Sequence, residues 1–144
     1  KILDDNKELL NTKDSHGFSP LYTASLFGFD EIMKDLITNG ADINSSDLGG
    51  LSCLHIAAEK GHPKATELLL NHGAKQDVID TIGRTARDWA TEKGHHEVLK
   101  IFDTYNNTKI VQNKLWKRQQ LQWVVIQVFD LNSNKVIFEL ILQN

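Results

Sequence analysis

The 144-residue sequence contains one cysteine, two prolines and no apolar stretch of the roughly 20 residues that a membrane-spanning helix needs. A single thiol, at Cys53, cannot build a disulfide framework or a zinc site made of cysteines. This scarcity predicts a cytoplasmic or otherwise intracellular, reducing environment. The net charge of −3 lacks the basic excess that nucleic-acid binding requires. We therefore expect no nucleic-acid partner and no strong association with membranes.

The few glycines are strictly spaced, and the spacing is shared by other residue types. Asp14, Asp47 and Asp80 are separated by 33 residues. The glycines that recur at the same interval are Gly17, Gly50 and Gly83, then Gly28, Gly61 and Gly94, and finally Gly40 and Gly73. Several residue types locked to one period indicate an internal repeat, in which each unit is one small arrangement of helices and turns.

Each unit is predicted to form a turn, a helix, a second turn and a second helix. Ser19, Ser52 and Thr85 follow the opening glycine by two residues, where a hydroxyl can cap the start of a helix. Pro63 is placed to open the second helix of the middle unit. The predicted first helices are 20–27, 53–60 and 86–93. Small residues on their inner positions, which favour close packing, are Ala24, Ala57 and Ala90.

The opening turn and helix of the units carry a family resemblance. The ankyrin motif G-x-T-P-L-H-x-A resembles residues 17–24, which read Gly-Phe-Ser-Pro-Leu-Tyr-Thr-Ala, and residues 50–58 match it as well. The closing G-A-D-V-N of the same family is similar to residues 40–44, Gly-Ala-Asp-Ile-Asn. The resemblance covers residues 1–105. It implies a mainly α fold, an ankyrin-repeat helical solenoid, that binds other proteins.

The period sets the expected boundaries of this array. Residues 1–13 resemble the tail of an earlier, truncated unit, because Asn11 falls 33 residues before Asn44. We therefore expect the chain to begin inside a larger protein. The predicted units are 14–46, 47–79 and 80–105. The last one is predicted to cap the array, since Asp103 gives it a polar outer face.

In the ankyrin family, partners contact the turn tips and the exposed face of the first helix. Mapped onto this sequence, the candidate partner-binding residues are Ser15, His16, Phe18, Leu26, Phe27, Leu48, Leu51, Glu59, Lys60, Ile82 and Arg84. Five are large and apolar without an evident packing role, which predicts an interaction patch: Phe18, Leu26, Phe27, Leu48 and Leu51. An amphipathic helix or a peptide on the concave face would suit this patch. The alternative is that these residues pack on an upstream unit or on the C-terminal segment.

A few residues resemble chemical sites. Residues 95–97, His-His-Glu, are adjacent and point in different directions on a helix, so they are not expected to converge on a metal. The family uses the His55 position to bond turn backbone, Cys53 is expected to be buried, and Asp88 is expected to pair with a neighbouring turn. No nucleophile, phosphate-binding or zinc motif is present. The sequence therefore predicts neither an enzyme nor a bound cofactor or metal.

Beyond Tyr105 the period ends. Residues 106–121 are predicted to be a linker or a short basic helix. Residues 122–144 are rich in β-branched and aromatic side chains around a turn at 131–134, which predicts a short β-hairpin. A hairpin with two apolar faces is not stable alone. We expect it to pack on the repeats, to mediate self-association, or to belong to a truncated β-domain.

Two functions remain open at this point. The first is an interaction scaffold or adaptor within an intracellular, multidomain protein. The alternative is the regulatory ankyrin arm of an enzyme or of a lipid-transfer protein whose working domain lies outside this chain. The sequence beyond Asn144 would separate the two.

Overall fold

The computed structural model describes residues 7–132. A short 3-10 helix spans Lys7–Asn11. The α-helices of the described residues are α1 (Pro20–Phe27), α2 (Asp30–Thr38), α3 (Cys53–Glu59), α4 (Pro63–Asn71), α5 (Ala86–Lys93) and α6 (His96–Asn132). The chain divides after Tyr105 into two compact units.

Hydroxyl caps start the first helix of every repeat, as the sequence predicts. Ser19, Ser52 and Thr85 each accept the backbone N–H three residues later, at 3.2, 3.4 and 3.3 Å. The side chains of His55 and Asp88 accept the N–H of their own cap residue, which completes a capping box. The N–H and hydroxyl donors of Thr85 lower the pKa of Asp88. Asp88 therefore serves its own helix, and its predicted pairing with a neighbouring turn is wrong.

Small residues allow the first helices of successive repeats to pack closely. Ala24, Ala57 and Ala90 are buried at equivalent positions, and α3 contacts both α1 and α5. The larger buried side chains of the second helices are Met33, Leu36, Leu69, Leu70, Val98 and Phe102. Each of these contributes about 1.5–3 kcal/mol when it leaves water. Because the apolar faces of each repeat are covered by its neighbours, the core runs from one repeat to the next.

A histidine joins each pair of neighbouring repeats. His62 Nε2 donates to the carbonyl of Leu26 at 3.0 Å, and His95 Nε2 donates to the carbonyl of Glu59 at 2.8 Å. Each ring lies over the glycine that follows the preceding first helix, where a β-carbon would come within 2.7 Å of a ring atom. That glycine also has a positive φ. The neighbour and the backbone therefore both require glycine there.

The C-terminal third is helical where the sequence predicts a linker and a hairpin. α6 includes residues 106–121 and ends at Asn132, so the prediction of a first strand at 122–130 is wrong. The second predicted strand, 135–142, lies outside the described residues. No glycine or proline follows Gly94, and a helix propagates cooperatively once it has started. The β-branched residues cost each turn of helix too little to end it, since their propensity penalty stays below about 0.7 kcal/mol per residue.

The later part of α6 is basic and carries exposed apolar side chains. Residues 104–129 contain four basic residues and no acidic one. Ile110, Leu115 and Trp116 are each more than half exposed. Within the part of the chain that the structure describes, no helix combines the length and the apolarity needed to cross a membrane.

Candidate functional site

An aspartate organises the turn that opens each repeat. Asp14 Oδ1 accepts the backbone N–H groups of His16 and Phe18 at 2.8 and 2.9 Å. Asp47 and Asp80 bond in the same way to the N–H groups two and four residues later, at 2.8 to 2.9 Å. Since the carboxylate holds the turn from inside, the side chains between its partners are left on the surface.

Backbone hydrogen bonds join neighbouring turns into a continuous row. The N–H of Leu48 donates to the carbonyl of His16 at 3.3 Å, and the N–H of Thr81 donates to the carbonyl of Gly49 at 3.2 Å. The aliphatic side chains at the tips lie in solvent, with Leu48 78% exposed and Ile82 62% exposed. A hydrogen-bonded backbone therefore presents large apolar side chains on two adjacent turns.

The second carboxylate oxygen is used differently in the second and third turns. Asp47 Oδ2 accepts the phenol O–H of Tyr22, from the preceding repeat, at 2.9 Å. Asp80 Oδ2 accepts the indole N–H of Trp89, from its own repeat, at 2.8 Å. Burial, and then the bond to Asp47, raise the pKa of Tyr22. Burial acts to raise the pKa of Asp80, but the N–H donors of Arg84, Trp89 and the turn outweigh it and lower that pKa.

Trp89 lies at the surface of the third repeat between two cations. The guanidinium carbon of Arg84 is 4.8 Å from the ring centroid, and the ammonium of Lys93 is 5.8 Å from it. Arg84 also forms an ion pair with Glu92. His55 Nε2 donates to the carbonyl of Arg84 at 3.0 Å, which confirms the predicted backbone role of His55. A cation–π contact at such an exposed site contributes about 0.5–1 kcal/mol.

These repeated turns and helices agree with known sequences. The sequence model described as ankyrin repeats, in three copies, matches residues 22–113, which is more than half of the chain. The chain belongs to the ankyrin repeat family. It is also similar to a protein of Rickettsia bellii (strain RML369-C) that is named as an ankyrin repeat protein. The two are 50% identical over 43 residues, which are 30% of this chain and only 13% of that protein. Ankyrin repeats generally serve as protein–protein interaction modules.

The ankyrin array exposes some of the predicted contact residues and partly buries the others. The exposed ones are Ser15, His16, Phe27, Leu48, Lys60 and Ile82. The partly buried ones are Phe18, Leu26, Leu51, Glu59 and Arg84. The turn tips supply most of the exposed set, and the first helices supply Phe27 and Lys60.

Three members of the predicted apolar patch pack on the ankyrin core. The ring of Phe18 stacks on Tyr22 with centroids 4.6 Å apart, and Leu26 and Leu51 are packed against the buried cluster. The expectation that the repeat's own packing does not need these three side chains is therefore wrong. Phe27, which is 58% exposed, and Leu48 remain open to solvent. The patch is smaller than the sequence indicates.

Sequence reasoning missed three surface residues of the array. Trp89 occupies the position of Ile56 in the preceding repeat, and an aromatic residue there was the available signal. Phe29 and Ile32 are each about half exposed. The ring of Phe27 stacks on Phe29 with centroids 5.6 Å apart, so the apolar surface continues beyond the turn tips.

The residues that resembled chemical sites have structural roles. Cys53 is fully buried, and burial raises the pKa of its thiol to about 12, so the thiol stays protonated at neutral pH. His95 is occupied at the junction between repeats, where its Nε2 bonds to Glu59. Over residues 7–132, no three side chains of His, Cys, Asp or Glu are placed to hold a metal ion together.

Proposed function

We propose that this chain is a protein-interaction module that binds a helix or an extended peptide of a partner protein. The proposed surface consists of the turn tips and the exposed face of the first helices. One observation carries the proposal: Leu48 and Ile82 are aliphatic side chains on adjacent, hydrogen-bonded turns, and both are mostly exposed. Large apolar side chains that a fold leaves in solvent together mark interaction surfaces.

Within this proposal the residues have different parts. Phe27, Leu48 and Ile82 are the apolar anchors, because each would bury more than half of its surface under a partner. Trp89 and Arg84 add the side-chain types that are enriched at the centres of interfaces. The remaining contact residues form a polar rim or support the surface from below: Ser15, His16, Phe18, Leu26, Leu51, Glu59 and Lys60.

The rim carries charges of both signs. Lys60 lies 3.4 Å from Glu59, and Arg84 is paired with Glu92. Exposed pairs of this kind stabilise the fold by at most about 1 kcal/mol, so they can exchange partners when a ligand arrives. We propose that the charges set the orientation of the partner, whereas the apolar anchors supply most of the affinity.

The proposed roles of scaffold and adaptor, and the alternative of a regulatory arm of an enzyme or lipid-transfer protein, use this same surface. They differ in what else the longer protein contains. A buried Cys53 as the single thiol of the chain supports an intracellular setting for either role.

The test is affinity capture from cell extract with the whole chain and with matched variants. Phe27→Ala combined with Leu48→Ala is expected to lose partners that the unaltered chain retains. Val111→Ala, which changes an equally exposed apolar residue outside the repeats, is expected to keep them. Because both variants alter surface residues, their melting temperatures should change by less than about 4 °C. An identical set of captured proteins for all three chains would overturn the proposal.

A further inference from the structure

A groove of about 560 Å³ borders the first repeat on the side away from the second repeat's α3 and α4. Phe29 and Ile32 contribute apolar walls, and each is about half exposed. The remaining walls include both apolar and hydroxyl-bearing side chains, among them Phe18, Pro20, Ser19 and Thr23. The stacking of Phe27 on Phe29 extends the apolar rim. A cleft of this size and composition accepts several apolar side chains of a bound segment.

The same face of the second and third repeats has a different chemistry. There His62 and His95 each donate a hydrogen bond to a carbonyl of the preceding repeat. Phe29 occupies the equivalent position, and its ring has no N–H to donate. Ile32 stands where the second repeat has the smaller, fully buried Ala65. The groove therefore offers more apolar surface than the junctions do, without their polar contact.

The first repeat is also the most acidic. Residues 13–46 carry five acidic residues and two lysines, a net charge of −3. Residues 47–79 carry four acidic residues and three lysines, and residues 80–105 carry five acidic and four basic ones, so each has a net charge of −1. The excess negative charge lies on the repeat that bears the groove.

Acidic side chains lie at the groove itself. Asp14 lines it, and Asp30 and Glu31 directly follow Phe29 at the start of α2. Hydrogen bonds led by the N–H of Phe18 lower the pKa of Asp14, so that carboxylate is ionised at neutral pH. Lys13 also lines the groove, but its ammonium donates to the carbonyl of Ser46 at 2.7 Å.

We infer that this groove binds a basic amphipathic helix of a partner protein. The apolar face of that helix enters between Phe29 and Ile32, and its lysine or arginine side chains meet the acidic rim. A helix suits the site because apolar residues three and four apart can fill a groove from one face. The inference does not depend on the turn-tip surface, since neither Phe29 nor Ile32 belongs to it.

The probes are three fluorescent 18-residue amphipathic peptides, made of leucine with lysine, with glutamate or with glutamine. Their binding to the whole 144-residue chain is measured by fluorescence anisotropy. The leucine–lysine peptide is expected to bind, and to bind more weakly as salt rises. Phe29→Ser combined with Ile32→Ser is expected to weaken it at least tenfold. Val111→Ser, an exposed apolar residue elsewhere, is the matched control and is expected to bind as the unaltered chain does.

Four outcomes would overturn the inference. The first is that the leucine–lysine peptide does not bind, and the second is that the two variants bind it equally well. The third is equal binding of the leucine–glutamine peptide, which would indicate a face that takes any apolar helix, such as one from a further repeat. The fourth is a dimer in sedimentation velocity that Phe29→Ser with Ile32→Ser dissociates, which would make a second copy the occupant. Circular dichroism of both variants excludes unfolding as the cause of any loss.

Discussion

The second and third turns have the same backbone and different side-chain bonds. Asp47 and Asp80 accept matching pairs of N–H groups, so the turns have one shape. The remaining oxygen of Asp47 is bonded to Tyr22 of the preceding repeat, whereas that of Asp80 is bonded to Trp89 of its own repeat. The repeat motif therefore fixes the shape of the turns, and residues outside it decide which surface each turn presents.

The largest effect is expected when the carboxylate of the second turn is removed. In Asp47→Ala, two backbone N–H groups and the Tyr22 hydroxyl lose their acceptor. Hydrogen bonds to charged groups are worth about 1.5–3 kcal/mol each, and partial replacement by water leaves an expected net loss of about 2–4 kcal/mol. Urea unfolding measures it. The exposed Asp77→Ala should change the free energy of unfolding by less than about 0.5 kcal/mol. Equal stability of the two variants would break the comparison.

A second prediction contrasts the glycines that follow α3 and α5. Gly61 and Gly94 have nearly the same positive φ, but only Gly61 lies under a histidine ring of the next repeat. Gly94→Ala should cost about 1 kcal/mol from the backbone alone. Gly61→Ala should cost about 1–3 kcal/mol more, because its β-carbon would crowd His95. If thermal unfolding shows the same loss for both, the ring does not constrain the junction.

Removing the bond between the first and second repeats is expected to have a smaller effect. Tyr22→Phe deletes the hydroxyl that Asp47 accepts and keeps the ring that stacks on Phe18. One hydrogen bond to a carboxylate predicts a loss of about 1.5 kcal/mol in the free energy of unfolding. A loss below about 0.5 kcal/mol in urea unfolding would mean that the turn does not depend on this bond.

The smallest effect is expected in the acid dependence of the third turn. The pKa of Asp80 is lower in the folded chain than its ordinary value of 3.8. Its contribution to stability is therefore complete above that ordinary value, and it is lost as the pH falls through the lowered, folded-state value. Urea midpoints measured from pH 5 to pH 2 should fall less steeply for Asp80→Asn than for the unaltered chain. Parallel curves would contradict the role given to its N–H donors.

The sequence was sufficient wherever local chemistry decides the structure. The caps at Ser19, Ser52 and Thr85 lie where predicted, because a capping hydroxyl acts only on its own helix. The period also placed the turns that carry Leu48 and Ile82. The packing of Leu26 and Leu51 against the core was missed, because it depends on how far neighbouring repeats cover each side chain. No motif describes that distance.

The C-terminal segment failed for a different reason. β-branched and aromatic residues favour strands only when a sheet exists to receive them, and helix propagation from α6 competes with that preference. The absence of glycine and proline after Gly94 was the stronger signal. The groove beside Phe29 and Ile32 was missed because a motif match describes what repeats share. That groove arises where the first repeat departs from the pattern.

The central claim is that the turn tips meet a partner protein. The most direct measurement places a photo-crosslinking amino acid at the position of Leu48, of Ile82 or of Glu67, which is exposed on α4. Each chain is irradiated in cell extract. The account predicts a crosslinked partner from the two tip positions and none from position 67. Crosslinking from position 67 with none from the tips would contradict it.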